Sequence, residues 1–401
     1  MNDVMCLPVR LSLANEGGKW GMIMSYEVSF RVLKTLASTV GVDLVGVTTA
    51  DEFSDVIPKL DRYYEEGRAT GFEHPNSRLR VDPAAILPQA KSIIAIAVPY
   101  ITPATKALRR PKGLRGSVSL YAYGRDYHRV LTRQLESIAD GLARYVGRDI
   151  AYHIGVDTAP LVDRAVAERA LIGWIGKNGM LITQKYGSWV FLGSLITDLA
   201  IEPQDVAIDF DSCGTCTLCI TACPTGALVD PYILDGKRCI SYLSQSSGII
   251  PNEYRKAIGR RLWGCDVCQN VCPKNNQSLL SQDPAFAPDE ELSYPELVHI
   301  LKLSRRAFLR EFGHTAAAWR GFYVWRRNAI LALGNLRAKG ALPELLPFLS
   351  DPRKEIRATT AWALCQIAPD EVRTVVATAF GSEADESVRK EMQWACEEGV
   401  Q

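Results

Sequence analysis

The spacing of apolar residues predicts alternating helices and strands over roughly the first 205 residues. "YEVSFRVLKTLASTVG" and "RVLTRQLESIADGLARYVG" repeat apolar positions with the period of an amphipathic helix. "DLVGVT" and "SIIAIAVPYI" are typical of strands, and "SWVFLGSLITDLAI" predicts one or two buried strands around Gly193. This alternation indicates an α/β or α+β domain.

Helical patterns dominate from about Ser293 to the end of the chain. "RRNAILALGN", "IRATTAWALCQ" and "VRKEMQWACEE" are weakly similar, and "ALPELLPFLSDP" supplies a partner helix between two of them. Each segment places an alanine six residues after an arginine: Arg326 and Ala332, Arg357 and Ala363, Arg389 and Ala395. Helix pairs at a period of about 31 residues predict a short α-solenoid of the HEAT kind, with an ordinary helical bundle as the alternative.

Composition is that of an ordinary globular protein, but the cations are unevenly placed. Of 401 residues, 47% are hydrophobic, and the formal net charge is +1. Residues 301–340 contain nine Lys or Arg and one acid, whereas residues 101–125 contain six Lys or Arg and no acid. The first of these stretches also contains four large aromatic residues: Trp319, Phe322, Tyr323 and Trp325. Most charge runs are solvated faces, but two separate basic stretches favour a polyanionic partner.

No feature of the sequence indicates export or a membrane. No apolar run has the length of a membrane span, and the N-terminus lacks the pattern of a signal peptide. We therefore expect a cytoplasmic protein without membrane contact. Residues 1–23 differ in pattern from the rest of the chain and are interpreted as an extension outside the fold, with Met24 as an alternative start.

Eight of the eleven cysteines lie between Cys213 and Cys272, which predicts metal binding in a reducing compartment. "CGTCTLCITACP" has the C-x2-C-x2-C-x3-C-P spacing of bacterial ferredoxins, in which the fourth cysteine ligates the other cluster. "GCDVCQNVCP" offers three more, and Cys239 supplies the eighth. The predicted ligands are Cys213, Cys216, Cys219 and Cys272 for one 4Fe–4S cluster, and Cys223, Cys239, Cys265 and Cys268 for the other. Structural zinc is the alternative, but zinc sites more often show two C-x2-C pairs.

Two such clusters carry single electrons, and a further centre is needed for chemistry on an organic substrate. All four irons of each cluster would be ligated by cysteine. No G-x-G-x-x-G follows a predicted strand, so nucleotide-type binding of flavin or nicotinamide has no local support. The large N-terminal domain is therefore expected to hold the reactive centre.

Five segments follow one another along the chain: "YGRDYHRVL", "VDTAPLVDRAVAERALIGWIGKN", "CGTCTLCITACPTGAL", "RCISYL" and "WGCDVCQNVCP". In this combination and order the sequence resembles the epoxyqueuosine reductase family, from about residue 30 to the C-terminal helices. Members of that family reduce the epoxide of epoxyqueuosine at the wobble position of tRNA, which gives queuosine. The resemblance implies cobalamin and two 4Fe–4S clusters, an anticodon stem-loop as partner, a flavodoxin or ferredoxin as electron donor, and a monomer.

The resemblance also implies an α+β fold with three parts. These are a nitroreductase-like α/β domain for cobalamin at residues 24–205, a ferredoxin-like 4Fe–4S domain at residues 206–285, and HEAT-like, tRNA-binding helices at residues 286–401. The corrinoid domain of the family is similar to that of reductive dehalogenases.

The proton donor of the family falls on Asp157, in "VDTAPLV". A buried carboxyl keeps its neutral form, as a general acid requires. The alternative role of Asp157 is an N-cap for the helix predicted in "APLVDRAVAERAL". The family's corrinoid contacts fall on Arg80, Ser119, Asp157, Leu181, Leu192, Leu195, Ser241 and Asp266, some of them through the backbone. Core packing is the alternative for each leucine.

The tRNA contacts implied by the resemblance are Ser247 and Gly248, in a stretch, "SQSSGII", that departs from the family. From the basic stretch we predict phosphate contacts at Arg320, Arg326 and Arg327, beside Trp319 and Trp325 as rings that could stack on a base. Arg326 is also the first repeat arginine, so its alternative role is a contact between helices.

The segment "DYHRVL" resembles part of the D-x-H-x-x-G motif, whose histidine ligates cobalt in many cobalamin proteins. Leu131 stands where that motif has glycine. We interpret Asp126 as a helix cap and His128 as a packing or polar contact, and the resemblance implies base-off cobalamin without a histidine ligand. A second departure is "ALIGW", in which Leu171 replaces the family's glycine.

Two rival functions remain on sequence grounds. A dehalogenase-like reductase of a small molecule would usually carry a twin-arginine signal and lack a basic helical tail. A simple electron carrier would not need an α/β domain of some 200 residues.

Overall fold

The computed structural model describes residues 26–204 and 212–397. The predicted extension at residues 1–23 and the predicted domain boundary after residue 205 lie outside these ranges. Among the described residues, no helix is both long enough and apolar enough to cross a membrane.

The N-terminal part contains five helices and seven strands among the described residues. They are α1 Phe30–Thr39, β1 Leu44–Thr49, α2 Ile57–Glu65, β2 Ser92–Pro99, α3 Pro103–Ala107, β3 Ser117–Val118, α4 Tyr127–Val146, β4 Tyr152–Gly155, α5 Asp163–Arg169, β5 Trp174–Ile175, β6 Leu181–Ile182 and β7 Val190–Thr197. Short 3-10 turns lie at Pro83–Ala85 and Leu120–Ala122. The helices and strands predicted from apolar spacing are present, and "SWVFLGSLITDLAI" forms the single strand β7.

A four-stranded antiparallel sheet in the order β1-β2-β7-β4 forms the centre of this part. Every residue of β2 is buried, which explains its unbroken apolar run. Ile94 and Ile96 pack in a core with Leu131 and Leu135 of α4 on one face, whereas Ile93 packs with residues of α2 and α5 on the other. Alternate side chains of a strand point to opposite faces, so the sheet is covered on both sides.

Two positions show how backbone geometry shapes this domain. A Cβ on Gly193 would lie 3.1 Å from Leu135 and 3.3 Å from Ile96, so the glycine allows α4 to pack closely on β7. Leu171, after the end of α5, has a φ of 56°. This is the left-handed position at which helices commonly end with glycine. The fold thus keeps, at Leu171, the conformation that the family's glycine favours.

The cysteine-rich part consists of short elements. They are α6 Leu218–Thr221, β8 Leu228–Asp230, β9 Ile233–Leu234, α7 Ile240–Gln245, α8 Asn252–Ile258, β10 Arg261–Trp263 and α9 Val267–Asn270, with 3-10 turns at Gly236–Arg238, Pro273–Asn275 and Pro284–Phe286. Strand β10 pairs in parallel with β3, which attaches this part to the N-terminal domain.

The C-terminal part is helical in the residues described. Its helices are α10 Glu290–Ser293, α11 Leu297–Lys302, α12 Arg305–Phe312, α13 Phe322–Asn335, α14 Leu342–Leu345, α15 Lys354–Ile367, α16 Pro369–Ser382 and α17 Glu386–Glu397, with 3-10 turns at Ala316–Ala318, Lys339–Ala341 and Leu346–Ser350. The repeat alanines Ala332, Ala363 and Ala395 are fully buried on α13, α15 and α17. These three helices pack side by side, because small residues allow a close approach.

One hydrophobic core joins the cysteine-rich part to the helices. It contains Ile240 and Trp263 together with Trp325 and Trp362. The sequence boundary predicted at residues 285 and 286 therefore separates two kinds of sequence, while the packing continues across it.

Candidate functional site

The eight clustered cysteines form two groups in space. We call Cys213, Cys216, Cys219 and Cys272 the first thiol set, and Cys223, Cys239, Cys265 and Cys268 the second thiol set. The members of the first set line one cavity together with Lys177 and Pro273. A turn at Gly214, whose φ is 49°, connects Cys213 to Cys216. The four side chains thus line one cavity, and a cubane needs one thiolate at each iron.

Electrostatic neighbours indicate which thiols of the first set lie together. The pKa of Cys272 is raised by burial and further by the charges of Cys213 and Cys216. Lys177 lies at the edge of this set: its Nζ donates to the carbonyls of Gly214, at 2.6 Å, and Cys216, at 3.0 Å. The ammonium of Lys177 therefore lies beside the first thiol set, whose thiolates would be negatively charged when they bind a cluster.

The second thiol set is assembled from three separate segments. Burial raises the pKa of Cys239, and the charges of Cys265 and Cys223 raise it further. Burial is also the main cause of the raised pKa of Cys268, followed by Cys239 and Cys265. Burial opposes ionisation of Cys223, but backbone N–H groups nearby outweigh it and lower the pKa of that thiol. The thiols of the second set are thus neighbours in the structure, and their assignment to one cluster stays a prediction.

Asp157 lies on the loop between β4 and α5. Its φ is 57°, and its Oδ2 accepts a hydrogen bond of 2.8 Å from the hydroxyl of Tyr127. Helix α5 begins only at Asp163, after Val162, so the alternative role of Asp157 as a cap is wrong. The expected burial is also wrong, because the side chain is exposed. Protein groups alone therefore do not provide the desolvation expected of a general acid.

The phenol that holds Asp157 is fixed in the core. The ring of Tyr127 stacks on Phe191, with centroids 4.3 Å apart and planes 4° apart. Burial raises its pKa, and the charge of Asp157 raises it further, so the hydroxyl keeps its proton and continues to donate. Tyr127 lies in "YGRDYHRVL", but nothing in the sequence indicated its contact with Asp157.

Three predicted corrinoid contacts lie near Tyr121, whose ring meets that of Tyr127 edge to face at 6.4 Å. Ser119 donates to Asp266, and the N–H of Leu120 donates to the other oxygen of that carboxylate at 3.0 Å. The hydroxyl of Ser241 accepts from Gln245, which also contacts the hydroxyl of Tyr121. Asp266 and Ser241 are close in sequence to thiols of the second set. A group bound here would therefore lie beside that set.

The remaining predicted contacts are of two kinds. Arg80 is half-buried and donates to the hydroxyl of Tyr64 at 3.3 Å. Leu192 is partly buried, but the side chains of Leu181 and Leu195 are 3% and 0% exposed. The two buried leucines belong to the hydrophobic core, so a contact with a corrinoid would have to come from their backbone.

Two of the three arginines predicted to contact phosphate are directed into the protein. Arg327 is 1% exposed and donates to the carbonyls of Leu243, Ser246 and Gly248. The prediction that it contacts phosphate is therefore wrong, because its guanidinium is saturated inside the protein. Arg326 is mostly buried; it donates to the carbonyl of Leu303 and lies 3.9 Å from a carboxylate oxygen of Asp351. Its alternative role as a contact between helices is the one observed.

The rest of the predicted tRNA surface is more accessible. Ser247 is exposed, and Gly248 has a φ of 91° in a loop that Arg327 holds by its carbonyls. Arg320 is half-buried beside the exposed ring of Trp319. Trp325 is fully buried and donates to the carbonyl of Ala317, so the prediction that it stacks on a base is wrong.

Asp126 and His128, at the start of α4, have structural roles. Asp126 caps α4 by accepting from the N–H of His128, and the two side chains are also in contact at 2.7 Å. The ring of His128 stacks on Tyr127, and Leu131 is fully buried. The predicted roles of Asp126 and His128 are confirmed.

A wide cleft lies elsewhere, between the start of α4 and helices α10 to α12. Arg125, Glu291, His299, Glu311 and His314 are among its lining residues. No predicted site residue lines this cleft, and it is not part of the candidate site.

Asp163 is a second carboxyl close to Asp157 that sequence reasoning missed. Its Oδ1 is enclosed and has no hydrogen-bond partner among the described residues, although the side chain as a whole is partly exposed. Burial raises its pKa to about 8, and the charge of Asp157 contributes, against the nearby cations Arg164 and Arg80. Asp163 is therefore expected to be protonated at neutral pH in the folded chain.

Asp163→Asn should change how stability depends on pH. The folded chain binds the proton of Asp163 more tightly than the unfolded chain. The contribution of Asp163 to the free energy of unfolding should therefore fall as the pH rises from 3.8 to about 8. The amide cannot ionise, so the gain in stability of the variant over the wild type should grow through this range and level off above it. Denaturant midpoints between pH 6 and 9 measure this gain. Asp140→Asn, at an exposed position of α4, is the control. A constant difference between Asp163→Asn and wild type would contradict the assignment.

Three protein-family models match the chain. The 4Fe-4S double cluster binding domain matches residues 212–275, the model described as epoxyqueuosine reductase QueG, DUF1730, matches residues 80–158, and HEAT repeats match residues 320–397. The epoxyqueuosine reductase of Bacillus subtilis is 44% identical over 359 residues, which cover 89% of this chain and 92% of that protein. The chain belongs to the epoxyqueuosine reductase family.

Solved structures agree with this assignment. A crystal structure of epoxyqueuosine reductase with an epoxyqueuosine-modified tRNA-Tyr stem loop has a TM-score of 0.87 and 42% identity, and the match covers 92% of this chain and 97% of that one. A Bacillus subtilis epoxyqueuosine reductase with its catalytic aspartate loop swung out of the active site has a TM-score of 0.86 and 41% identity, covering 92% and 98%. The predicted α+β class, the iron–sulfur domain and the HEAT-like helices are confirmed, in preference to zinc and to an ordinary bundle.

Proposed function

We propose that this chain reduces epoxyqueuosine at the wobble position of tRNA to queuosine, with cobalamin and two 4Fe–4S clusters. The observation that carries the proposal is the exposed Asp157 carboxyl, which Tyr127 holds on a loop with left-handed backbone geometry. A relative of known structure was crystallised with an epoxyqueuosine-modified stem loop, which supports the same substrate here. Conversion of the epoxide to an alkene and water consumes two electrons and two protons.

Each thiol set would hold one cluster, and electrons would pass from one cluster to the other. Lys177 lines the same cavity as the first set. Ser119, Ser241 and Asp266, together with Arg80, would hold the corrinoid between the second set and Asp157. Bound cobalamin would supply a low-valent cobalt able to reduce the epoxide. The arrangement fits because polar groups from three segments meet beside the thiols and the enclosed Oδ1 of Asp163 lacks a partner among the described residues.

Asp157 has the role of proton donor to the epoxide oxygen as its bond to carbon breaks. Tyr127 keeps the carboxyl in position through its hydroxyl. A relative from Bacillus subtilis has been solved with its catalytic aspartate loop swung out of the active site, which supports a loop that can move here once the hydrogen bond from Tyr127 is broken. A base seated against the loop would exclude water and favour the neutral acid.

We further propose that cobalamin binds base-off, since the position of the motif glycine is a buried leucine and His128 is engaged by Asp126. We also propose a cytoplasmic monomer that receives its electrons from a flavodoxin or ferredoxin. Nitrogen superhyperfine splitting in the EPR spectrum of the Co(II) form would contradict the base-off state.

The direct test supplies the purified, cluster-loaded chain with cobalamin, a chemical reductant and a stem-loop that contains epoxyqueuosine. Loss of one oxygen atom from the modified nucleoside by mass spectrometry is the expected result. No conversion of the stem-loop, with turnover of a small organohalide instead, would favour the dehalogenase-like alternative.

Arg320→Ala should weaken stem-loop binding and reduce its salt dependence. One lost phosphate contact lowers the slope of log affinity against log salt by roughly 0.7–0.9. Arg144→Ala, on the exposed side of α4, should leave the slope unchanged. Arg327→Ala should instead lower stability and cofactor content, because it leaves several buried carbonyls without a donor. Titrations at several salt concentrations distinguish these outcomes, and an unchanged slope for Arg320→Ala would contradict the contact.

A further inference from the structure

An exposed aromatic patch lies where three parts of the chain meet. Phe72 comes from the loop after α2, Tyr242 from α7, and Trp319 and Arg320 from the turn before α13. The ring of Phe72 is 5.1 Å from that of Tyr242 and 5.4 Å from that of Trp319. The guanidinium of Arg320 lies 5.0 Å from the centre of Phe72 and 4.8 Å from that of Trp319. We call these four residues the aromatic patch.

The patch is held rigidly although it is exposed. Phe72 and Trp319 are 42% and 57% exposed. Gln245 holds two of its members: its side-chain oxygen accepts from the indole of Trp319, and its carbonyl accepts from Arg320, each at 3.0 Å. Large rings that are exposed, fixed and beside a cation are typical of binding surfaces.

A line of contacts connects the patch to Asp157. The side-chain nitrogen of Gln245 lies 3.5 Å from the hydroxyl of Tyr121. Tyr121 packs edge to face against Tyr127, and Tyr127 donates to Asp157. The side chains of Gln245, Tyr121 and Tyr127 thus form a continuous connection from the patch to the proton donor.

The chemistry of the patch fits an unpaired nucleobase. Every base has an aromatic face that can stack on a ring, and a guanidinium adds a cation–π contact and attracts phosphate. The rings of Phe72 and Trp319 are 79° apart, so a base stacked on one ring meets the other at a right angle, as aromatic pairs prefer. A wobble base at Asp157 would place its neighbour in the anticodon loop within reach of the patch.

We propose that Phe72, Trp319 and Arg320 form a platform on which the nucleotide next to the wobble base stacks. The platform separates that base from its neighbours in the loop and so orients the wobble base toward Asp157. This inference rests on the proposed function, because it needs an RNA loop as the ligand. Phe72 is assigned a role here that no sequence pattern indicated.

The test uses holoenzyme and epoxyqueuosine stem-loops that carry 2-aminopurine or an abasic site next to the wobble position. Trp319→Ala should weaken binding about 5- to 150-fold, since stacking contributes roughly 1–3 kcal/mol per base. Phe72→Ala should have a smaller effect in the same direction. Trp319→Phe keeps a ring and should retain most of the affinity. Tyr145→Ala removes a ring that is 56% exposed on α4 and serves as the matched control.

Two readouts decide the proposal. Fluorescence of the 2-aminopurine should be quenched on binding to the wild type and less so with Trp319→Ala. With the abasic stem-loop, wild type and Trp319→Ala should bind equally, because the stacked base is already absent. The platform would be overturned if wild type and Trp319→Ala bound the intact loop equally. It would also be overturned if Trp319→Ala weakened binding of the abasic loop as much as it weakens binding of the intact loop. Wild-type turnover of the same stem-loop tests the proposed function separately, so the two ideas fail in different measurements.

Discussion

Asp157→Asn should lower turnover of the epoxyqueuosine stem-loop by about 10²–10⁴-fold, the usual range for loss of a general acid. The amide still accepts a hydrogen bond from Tyr127, so the loop should keep its conformation. It cannot release a proton to the epoxide oxygen. Single-turnover rates with saturating stem-loop measure the effect, and absorption spectra measure cluster and cobalamin content in the same samples.

The control for this prediction is Asp140→Asn, a change of the same kind at an exposed position of α4. It should leave turnover unchanged. Stem-loop affinity should also stay close to wild type in Asp157→Asn, since the proposed role concerns the reaction and not binding. A variant that loses cobalamin, or one that turns over normally, would show that Asp157 does not donate the proton.

Paired cysteine replacements should distinguish two cluster arrangements. In the crossed one, Cys272 completes the first cluster and Cys223 belongs to the second; in the uncrossed one, these two cysteines are exchanged. If the first thiol set holds one cluster, Cys213→Ala with Cys272→Ala should damage that cluster alone, and iron should fall from about eight to about four atoms per chain. Cys213→Ala with Cys223→Ala should damage both clusters and leave almost no iron. An uncrossed arrangement predicts the opposite outcome for the two pairs.

Both double variants should lose turnover completely, because the proposed electron route runs through both clusters. Cys365→Ala is the control, since Cys365 is buried in α15 and belongs to neither set. It should keep about eight iron atoms. Iron and sulfide analysis after anaerobic reconstitution gives the result without an activity assay. Iron that falls by half in both pairs would contradict both arrangements.

The elements of the fold were largely predictable from apolar spacing. Strand β2 and helix α4 occur where the pattern placed them, because burial of an apolar face is the main source of their stability. The repeat arginines and alanines on α13, α15 and α17 also indicated the helix pairs. The single strand β7 was not predicted outright, since the tight packing that Gly193 permits involves α4, a distant segment.

The ligand sets could be predicted because cluster chemistry restricts the spacing of thiols within short segments. In the structure Cys239 lies near Cys265 and Cys223, and Cys272 lies near Cys213 and Cys216, which is consistent with the two predicted sets. The position of Asp157 came only from the family resemblance. The hydrogen bond from Tyr127 and the enclosed carboxyl of Asp163 depend on side chains from separate elements, and nothing in the sequence indicated them.

The sequence by itself determined the class of the fold and the family, and it predicts the cluster ligands. Tertiary structure alone decided which cations and rings face solvent. Arg320 and Arg327 lie seven positions apart in the same basic stretch, and both donate to carbonyls in or just after α7. Arg327 is nevertheless 1% exposed, whereas Arg320 is only half-buried on the aromatic patch. Trp319 is exposed and Trp325 is buried for the same reason. Local sequence sets charge and aromaticity, but burial depends on which distant segments pack against a side chain.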